Sequence, residues 1–182
     1  MANLDGAKGF SPLRNPYGNE IPIEEFTAAA TNVIYPGQIL YQNASGLVRV
    51  WTGTATGYQQ LVGSAQGFKA AADADRKILV AHAPDQEYEV QQDDNTCTVV
   101  ADCVGANFEG TNLTSVNATR GVSIAELDGS TATTVNQSTT IAPFRCIRVS
   151  RAIEGNDISA SNCLVVVKIN DSNHYLSANA GV

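Results

Sequence analysis

The chain is poor in charge, and poorest in positive charge. Only 16% of its 182 residues are charged, against a usual share of about 25%. Eleven Lys and Arg face eighteen Asp and Glu, for a net charge of −7. A protein that wraps nucleic acid needs a basic face, because neutralising phosphates supplies most of the affinity. The one tight basic group, Arg145, Arg148 and Arg151, has a spacing that alternates faces on a strand. The expectation is solvated edge charges and no nucleic-acid partner. Long apolar runs are missing too. Cys163–Val167 falls far short of the roughly 20 residues of a membrane helix, so no membrane partner is expected. The opening MANLDGAKGF has no apolar signal-peptide core, which implies synthesis in a cytosol-like compartment where disulfides are disfavoured. Cys97, Cys103, Cys146 and Cys163 are accordingly expected to be buried free thiols.

Catalytic patterns are equally scarce. The two histidines, His82 and His174, have no partner at metal-ligand spacing. There is no nucleophile elbow, phosphate loop or dinucleotide fingerprint. Asp93-Asp94-Asn95 lacks the Gly and distal Glu of a calcium loop and reads as a polar turn. Glu87 and Glu89 share one strand face, an arrangement glycosidases use, but no wall of aromatics accompanies them. The reading is of a protein that is not an enzyme, with no catalytic residue, metal or cofactor.

What is present is a core and a β pattern. At 43% hydrophobic, a single domain of this length buries roughly 70% of its unfolded surface without staples. Lys77–Gln92 is the organising stretch. Ile78-Leu79-Val80-Ala81 reads as a strand buried on both sides. Pro84-Asp85 is a turn, and Glu87-Tyr88-Glu89-Val90-Gln91 alternates strictly. These two strands are expected to pair across the turn. Gln38–Gln42 and Leu47–Trp51 flank Asn43-Ala44-Ser45-Gly46 as a hairpin. Leu61–Phe68 is a strand interrupted by Gly63 and Gly67, which points to a bulge or a close backbone approach. Ile141–Val149 alternates imperfectly, with Phe144, Cys146 and Arg148 on one face and Arg145, Ile147 and Val149 on the other. Cys163–Ile169 should be a central strand. No internal repeat is visible. The fold class is mainly β, a compact β-barrel or β-sandwich with few short helices.

Residues 1–32 differ from the rest. Gly and Pro recur at a density that breaks regular structure, with apolar residues interspersed singly. This segment reads as an extended N-terminal arm lying on its own domain or on a neighbour. Phe10, Pro12, Leu13, Tyr17, Ile21, Ile23 and Phe26 are its candidate contacts with a partner or another subunit. Glu24–Ala30 has the composition for a helical turn but no capping box. Residues 33–182 then form a single β domain with long loops at about 109–119 and 128–140.

Several segments occur in a telling order. They are Gly9-Phe10-Ser11-Pro12-Leu13-Arg14, Ile34-Tyr35-Pro36-Gly37-Gln38-Ile39-Leu40, Gly67-Phe68 and Glu87-Tyr88-Glu89-Val90-Gln91. Asp102-Cys103-Val104-Gly105-Ala106-Asn107, Pro143-Phe144-Arg145 and Leu164-Val165-Val166-Val167-Lys168-Ile169-Asn170 with His174-Tyr175 follow. This order resembles head-decoration (cement) proteins of tailed bacteriophages, related in architecture to the small lambda-type decoration proteins. Pro36-Gly37-Gln38 departs from a more usual acidic G-D, and the Thr-rich loop is this sequence's own. The resemblance implies a β-tulip-like domain made in the bacterial cytoplasm and carried on the outer capsid surface of the virion. Its partners would be the major capsid protein and itself, as a homotrimer before a dimer. Another virion part, in the tail, neck or fibre, is the first alternative. A carbohydrate-binding β module using Trp51, Tyr58 and Tyr88 is the second.

Overall fold

A computed structural model describes residues 5–13, 20–53, 60–73, 76–93, 103–133, 142–151, 156–157 and 160–176. The described chain is mainly β with almost no helix, as its alternation and turn residues imply. In chain order the strands are β1 (Ser11–Pro12), β2 (Ile23–Thr27), β3 (Ile39–Gln42), β4 (Val48–Val50), β5 (Gln60–Ala65), β6 (Lys77–Ala81) and β7 (Tyr88–Gln91). They continue as β8 (Asn107–Thr111), β9 (Val116–Asn117), β10 (Val122–Ser123), β11 (Glu126–Thr133), β12 (Phe144–Val149) and β13 (Leu164–Ile169).

One sheet has the order β2-β6-β5-β3-β4, and a parallel bridge, Ala28 to Val48, brings its two ends together. The other has the order β1-β7-β13-β12-β8-β11, and a parallel bridge from Gln92 to Leu127 returns β11 to β7. Each sheet is thus curled into a small, partly closed barrel whose edges meet at a single parallel bridge. Leaving β1 aside, the two barrels have the same connectivity: within each, the first strand pairs with the fifth, the fifth with the fourth, the fourth with the second and the second with the third, all antiparallel. The third then meets the first in parallel. The hydrogen bonds at the closures match as well: Ala29 N–H donates to Val48 O at 3.0 Å, and Asp93 N–H to Leu127 O at 3.0 Å. No sequence repeat announces this duplication.

Ala28, Ile34, Leu40, Val48, Val50, Val62, Ala65, Ile78 and Val80 fill the first barrel. The larger core joins the inside of the second barrel (Tyr88, Val90, Phe108, Leu127, Phe144, Val165, Val167) to Ile39, Trp51 and Leu61 of the first. Gly63 lies at this joint. A Cβ there would sit 1.9 Å from Ala81 O and 3.0 Å from the Tyr88 hydroxyl, which itself donates to Ala81 O at 2.8 Å. Both expected roles hold, since β5 also shifts register against β3 here.

Other expectations are corrected. β6 and β7 do not pair; the Pro84-Asp85 turn carries the chain from one barrel to the other. Nor is β6 buried on both faces: Ile78 and Val80 point inward and Leu79 outward. Glu24–Ala30 is no helical turn, because Ile23–Thr27 pairs along its length with β6. Within the N-terminal segment, Ser11–Pro12 supplies β1 to the second barrel and Ile23–Thr27 supplies β2 to the first. Within 109–119 the chain carries the end of β8 and half of the β9–β10 hairpin. The first part of 128–140 belongs to β11, whose small residues lacked the bulk that marks a strand; residues 134–140 lie outside the described ones. In β12 the register slips between Cys146 and Arg148. This bulge keeps Phe144, Cys146 and Val149 on the core side and turns Arg148 out. Cys103 is disulfide-bonded, contrary to expectation, whereas Cys146 and Cys163 are free and buried. β13 lies between β7 and β12 with three of its valines buried.

Candidate functional site

The seven N-terminal candidates have different fates. Phe10 is fully buried, its ring 4.6 Å from that of Phe144 and 6.5 Å from that of Tyr88. Its N–H donates to Gly37 O at 2.9 Å, and Ser64 Oγ donates to its carbonyl at 2.6 Å. Phe10 is therefore a core residue of its own domain. Pro12 lies opposite Tyr88 in β1, and Leu13 N–H donates to Glu87 O at 2.9 Å; both are half-buried. Ile21 packs on the larger core, and Phe26 on the smaller one, 5.7 Å from the rings of His82 and Tyr175. Tyr17 lies outside the described residues. Ile23 alone of the six described candidates keeps a largely exposed side chain, at 48%.

The outer face of the second barrel is a polar lattice. Glu87 is buried and pairs with the half-exposed Arg148, while Glu89 accepts from Ser150 Oγ. Gln91 Oε1 accepts from Gly6 N–H at 3.1 Å. The paired carboxylates noticed in the sequence are thus engaged in holding β7 to β12. Arg148 is one of their partners and not a free edge charge. On β8 and β11, Glu109 and Asp128 stand directly opposite. Burial, with Asp128 adding to it, raises the Glu109 carboxyl above its ordinary value. Burial likewise raises Glu126, with Asp5 and Asp93 in the same direction; the hydrogen bond from Asn112 opposes them.

Burial pushes the Cys146 thiol up to about 12, with Cys163 contributing, and the Cys163 thiol up to about 11. Neither presents a thiolate nucleophile near neutrality. Among the described residues no group of three His, Cys, Asp or Glu is placed to hold a metal ion. Trp51 and Tyr88 are buried in the core and Tyr58 lies outside the described residues, so Trp51 and Tyr88 form no sugar platform.

Two features escaped sequence reading. Lys69 is wholly buried, and its ammonium donates to the carbonyls of Ala30, Asn32 and Ala70, each at 3.1 Å. The second is a joint around His82 and His174. His174 Nε2 meets His82 O at 2.8 Å, and His174 Nδ1 accepts from Leu176 N–H at 3.2 Å. His82 bridges Tyr175 Oη at 3.0 Å and Glu24 at 3.3 Å. His82 is remote in sequence from His174, Tyr175 and Glu24, so only the fold brings these four together.

The apolar side chains left bare are the remaining feature. Of the six large ones exposed among the described residues, Ile23, Val33, Phe68 and Leu79 belong to the first barrel. Ile23 and Leu79 share its outer face across the β2–β6 ladder; Phe68 stacks edge-on to Tyr35 with ring centroids 5.0 Å apart. Comparison with known proteins finds no match to a protein-family model, a curated protein or a solved structure.

Proposed function

We propose that the protein is a structural component of a tailed-phage virion that binds the exterior of the expanded capsid and cements neighbouring capsomers against internal DNA pressure. The observation that carries this reading is the order of motifs from Gly9 to Tyr175. It is supported by where those motifs fall. Gly9–Leu13 holds β1, Ile34–Leu40 leads into β3, Glu87–Gln91 contains β7, and the last two motifs contain the start of β12 and all of β13. Most of them fall on the strands of the second barrel and on β1, which pairs with it. A mechanical role also fits a molecule whose Glu87 and Glu89 are engaged in holding strands together, whose Cys146 and Cys163 are buried, and which leaves Ile23 and Leu79 bare on one face. The protein acts with the major capsid protein and with copies of itself, as a homotrimer.

Co-sedimentation with compact and expanded capsids of its own phage tests the reading. Binding to expanded shells alone, saturating at a fixed ratio to the major capsid protein, is expected. Binding to neither, with the protein recovered in the tail fraction of disrupted virions, would move it to the tail.

A further inference from the structure

The shared connectivity makes each barrel a control for the other. The closures set Ala28 against Gln92; counting back sets Glu25 against Glu89 and Ile23 against Glu87. Across the ladders, Leu79 lies opposite Glu25 as Val166 lies opposite Glu89. In the second barrel the outer edge of β7 is taken by β1, with Ser11 and Pro12 opposite Glu89 and Tyr88, and Leu13 N–H bonded to Glu87 O. The surface beside it is covered: Glu87 is 7% exposed and Val166 1%. In the first barrel no described strand lies along β2, and the equivalent positions are bare, Ile23 at 48% and Leu79 at 45%.

The backbone of β2 is arranged to receive a strand. Ala28 N–H donates to Arg76 O, and His82 N–H to Pro22 O. These bonds place the even-numbered residues of β2 against β6. The N–H and C=O groups of Ile23, Glu25 and Thr27 therefore point to the open side. We propose that the edge of β2 accepts an extended segment of another protein as an added strand, one that carries basic side chains among apolar ones. The apolar part follows from Ile23 and Leu79. The basic part follows from the exposed Glu20, Glu24 and Glu25, against which Lys77 and His82 are the nearby cationic or titratable partners. A second copy fits poorly, because an antiparallel β2–β2 pair centred on Glu25 sets like charges directly opposite each other. Strand addition at an exposed edge draws affinity from main-chain bonds and specificity from alternate side chains. Resting on the decoration reading, the guest is an extended segment of the shell protein.

The full-length protein, labelled for amide spectroscopy, is titrated with an eight-residue peptide alternating Val and Lys, and with its Val–Glu counterpart. The Val–Lys peptide is expected to shift the Ile23, Glu25 and Thr27 amides saturably at or below about 1 mM, and the Val–Glu peptide to leave them in place. Glu25→Pro removes an outward N–H without touching the ladder to β6 and should weaken binding at least about tenfold. Leu79→Lys, at an exposed position, should weaken it too and serves if the proline disturbs the fold. A Val–Lys peptide that leaves all three amides unmoved overturns the proposal. So does protection of these amides that grows with protein concentration alone, which assigns the edge to a second copy. Expanded capsids form a separate arm: if the peptide binds and capsids do not, the decoration reading falls and the edge site stands.

Discussion

Lys69 shows how a charged residue becomes part of a core. An ammonium has three donors, and three backbone carbonyls surround this one, so burial leaves none of the donors unmet. The contacts tie residues 30–32 to 69–70 beneath the antiparallel bridge between Ile34 and Lys69. Lys69→Met fills similar volume but strands three carbonyls. Its expected effect is a loss of about 3 kcal/mol in urea unfolding, and Lys69→Arg should recover little, because a planar fork cannot meet three acceptors arranged around a point. An unchanged midpoint for Lys69→Met would show the bonds to be dispensable. Gly63 is the other residue on which much depends. A methyl group at this position meets Ala81 O far inside contact distance, so Gly63→Ala should cost at least about 3 kcal/mol, seen as a lower thermal midpoint. Sequence reading found Gly63, because a glycine inside an apolar strand is conspicuous. It missed Lys69, because nothing near a lysine in sequence tells that it will be buried.

At the scale of elements, the N-terminal segment is the instructive case. Its Gly and Pro content reads as an extended segment lying on its own domain or on a neighbour. Phe10 then decides where it lies, since a fully buried ring between Phe144 and Tyr88 anchors β1 to the second barrel. Phe10→Ala should lower stability by about 4 kcal/mol. It should also speed amide exchange at Leu13, whose N–H is bonded to Glu87 O; slow exchange retained there would mean that β1 holds without its anchor. The elements legible in the sequence were those whose partner is close by or whose side chains carry the pattern. The β3–β4 hairpin is set by Asn43, whose Oδ1 accepts from the N–H groups of Ser45 and Leu47. β13 is set by its unbroken valines, and β7 by its alternation. The illegible ones depend on remote partners. β2 is strand rather than helix because β6, fifty residues on, offers it a ladder. β11 pairs through backbone while its side chains are small. The Pro84-Asp85 turn looked like a hairpin because local pattern does not say to which sheet a strand belongs.

At the scale of the whole molecule, two barrels of one connectivity share a core, and the duplication is invisible in sequence because equivalent positions have different duties. Tyr88 reaches the joint where its counterpart Glu24 meets His82, and Val166 is covered where Leu79 is bare. The histidine joint links the barrels. The segment after β13 returns to the first barrel, with Leu61 N–H bonded to Asn173 O at 2.8 Å and Tyr175 N–H to Leu61 O at 3.0 Å. His174 within it is fully buried, and burial lowers its proton affinity below the ordinary histidine value, with the nearby His82 adding to this; hydrogen bonds and Asp171 oppose it. The unfolded chain takes up a proton as pH falls below about 6.5, while the folded chain resists. The contribution of neutral His174 is therefore fully present above that pH and is lost as pH falls toward the lowered folded value. Protonating Nδ1 would also turn a donor against the Leu176 N–H. Glu109 and Glu126, raised in the folded state, act in the opposite sense, because the folded chain gains their protons first. The comparison that isolates the joint is accordingly between the wild type and His174→Gln. Urea midpoints at pH 7 and pH 5 should fall further for the wild type than for the variant, and the Leu61 amide should lose protection at pH 5 in the wild type alone. Equal slopes with pH in the two proteins would place the acid response elsewhere.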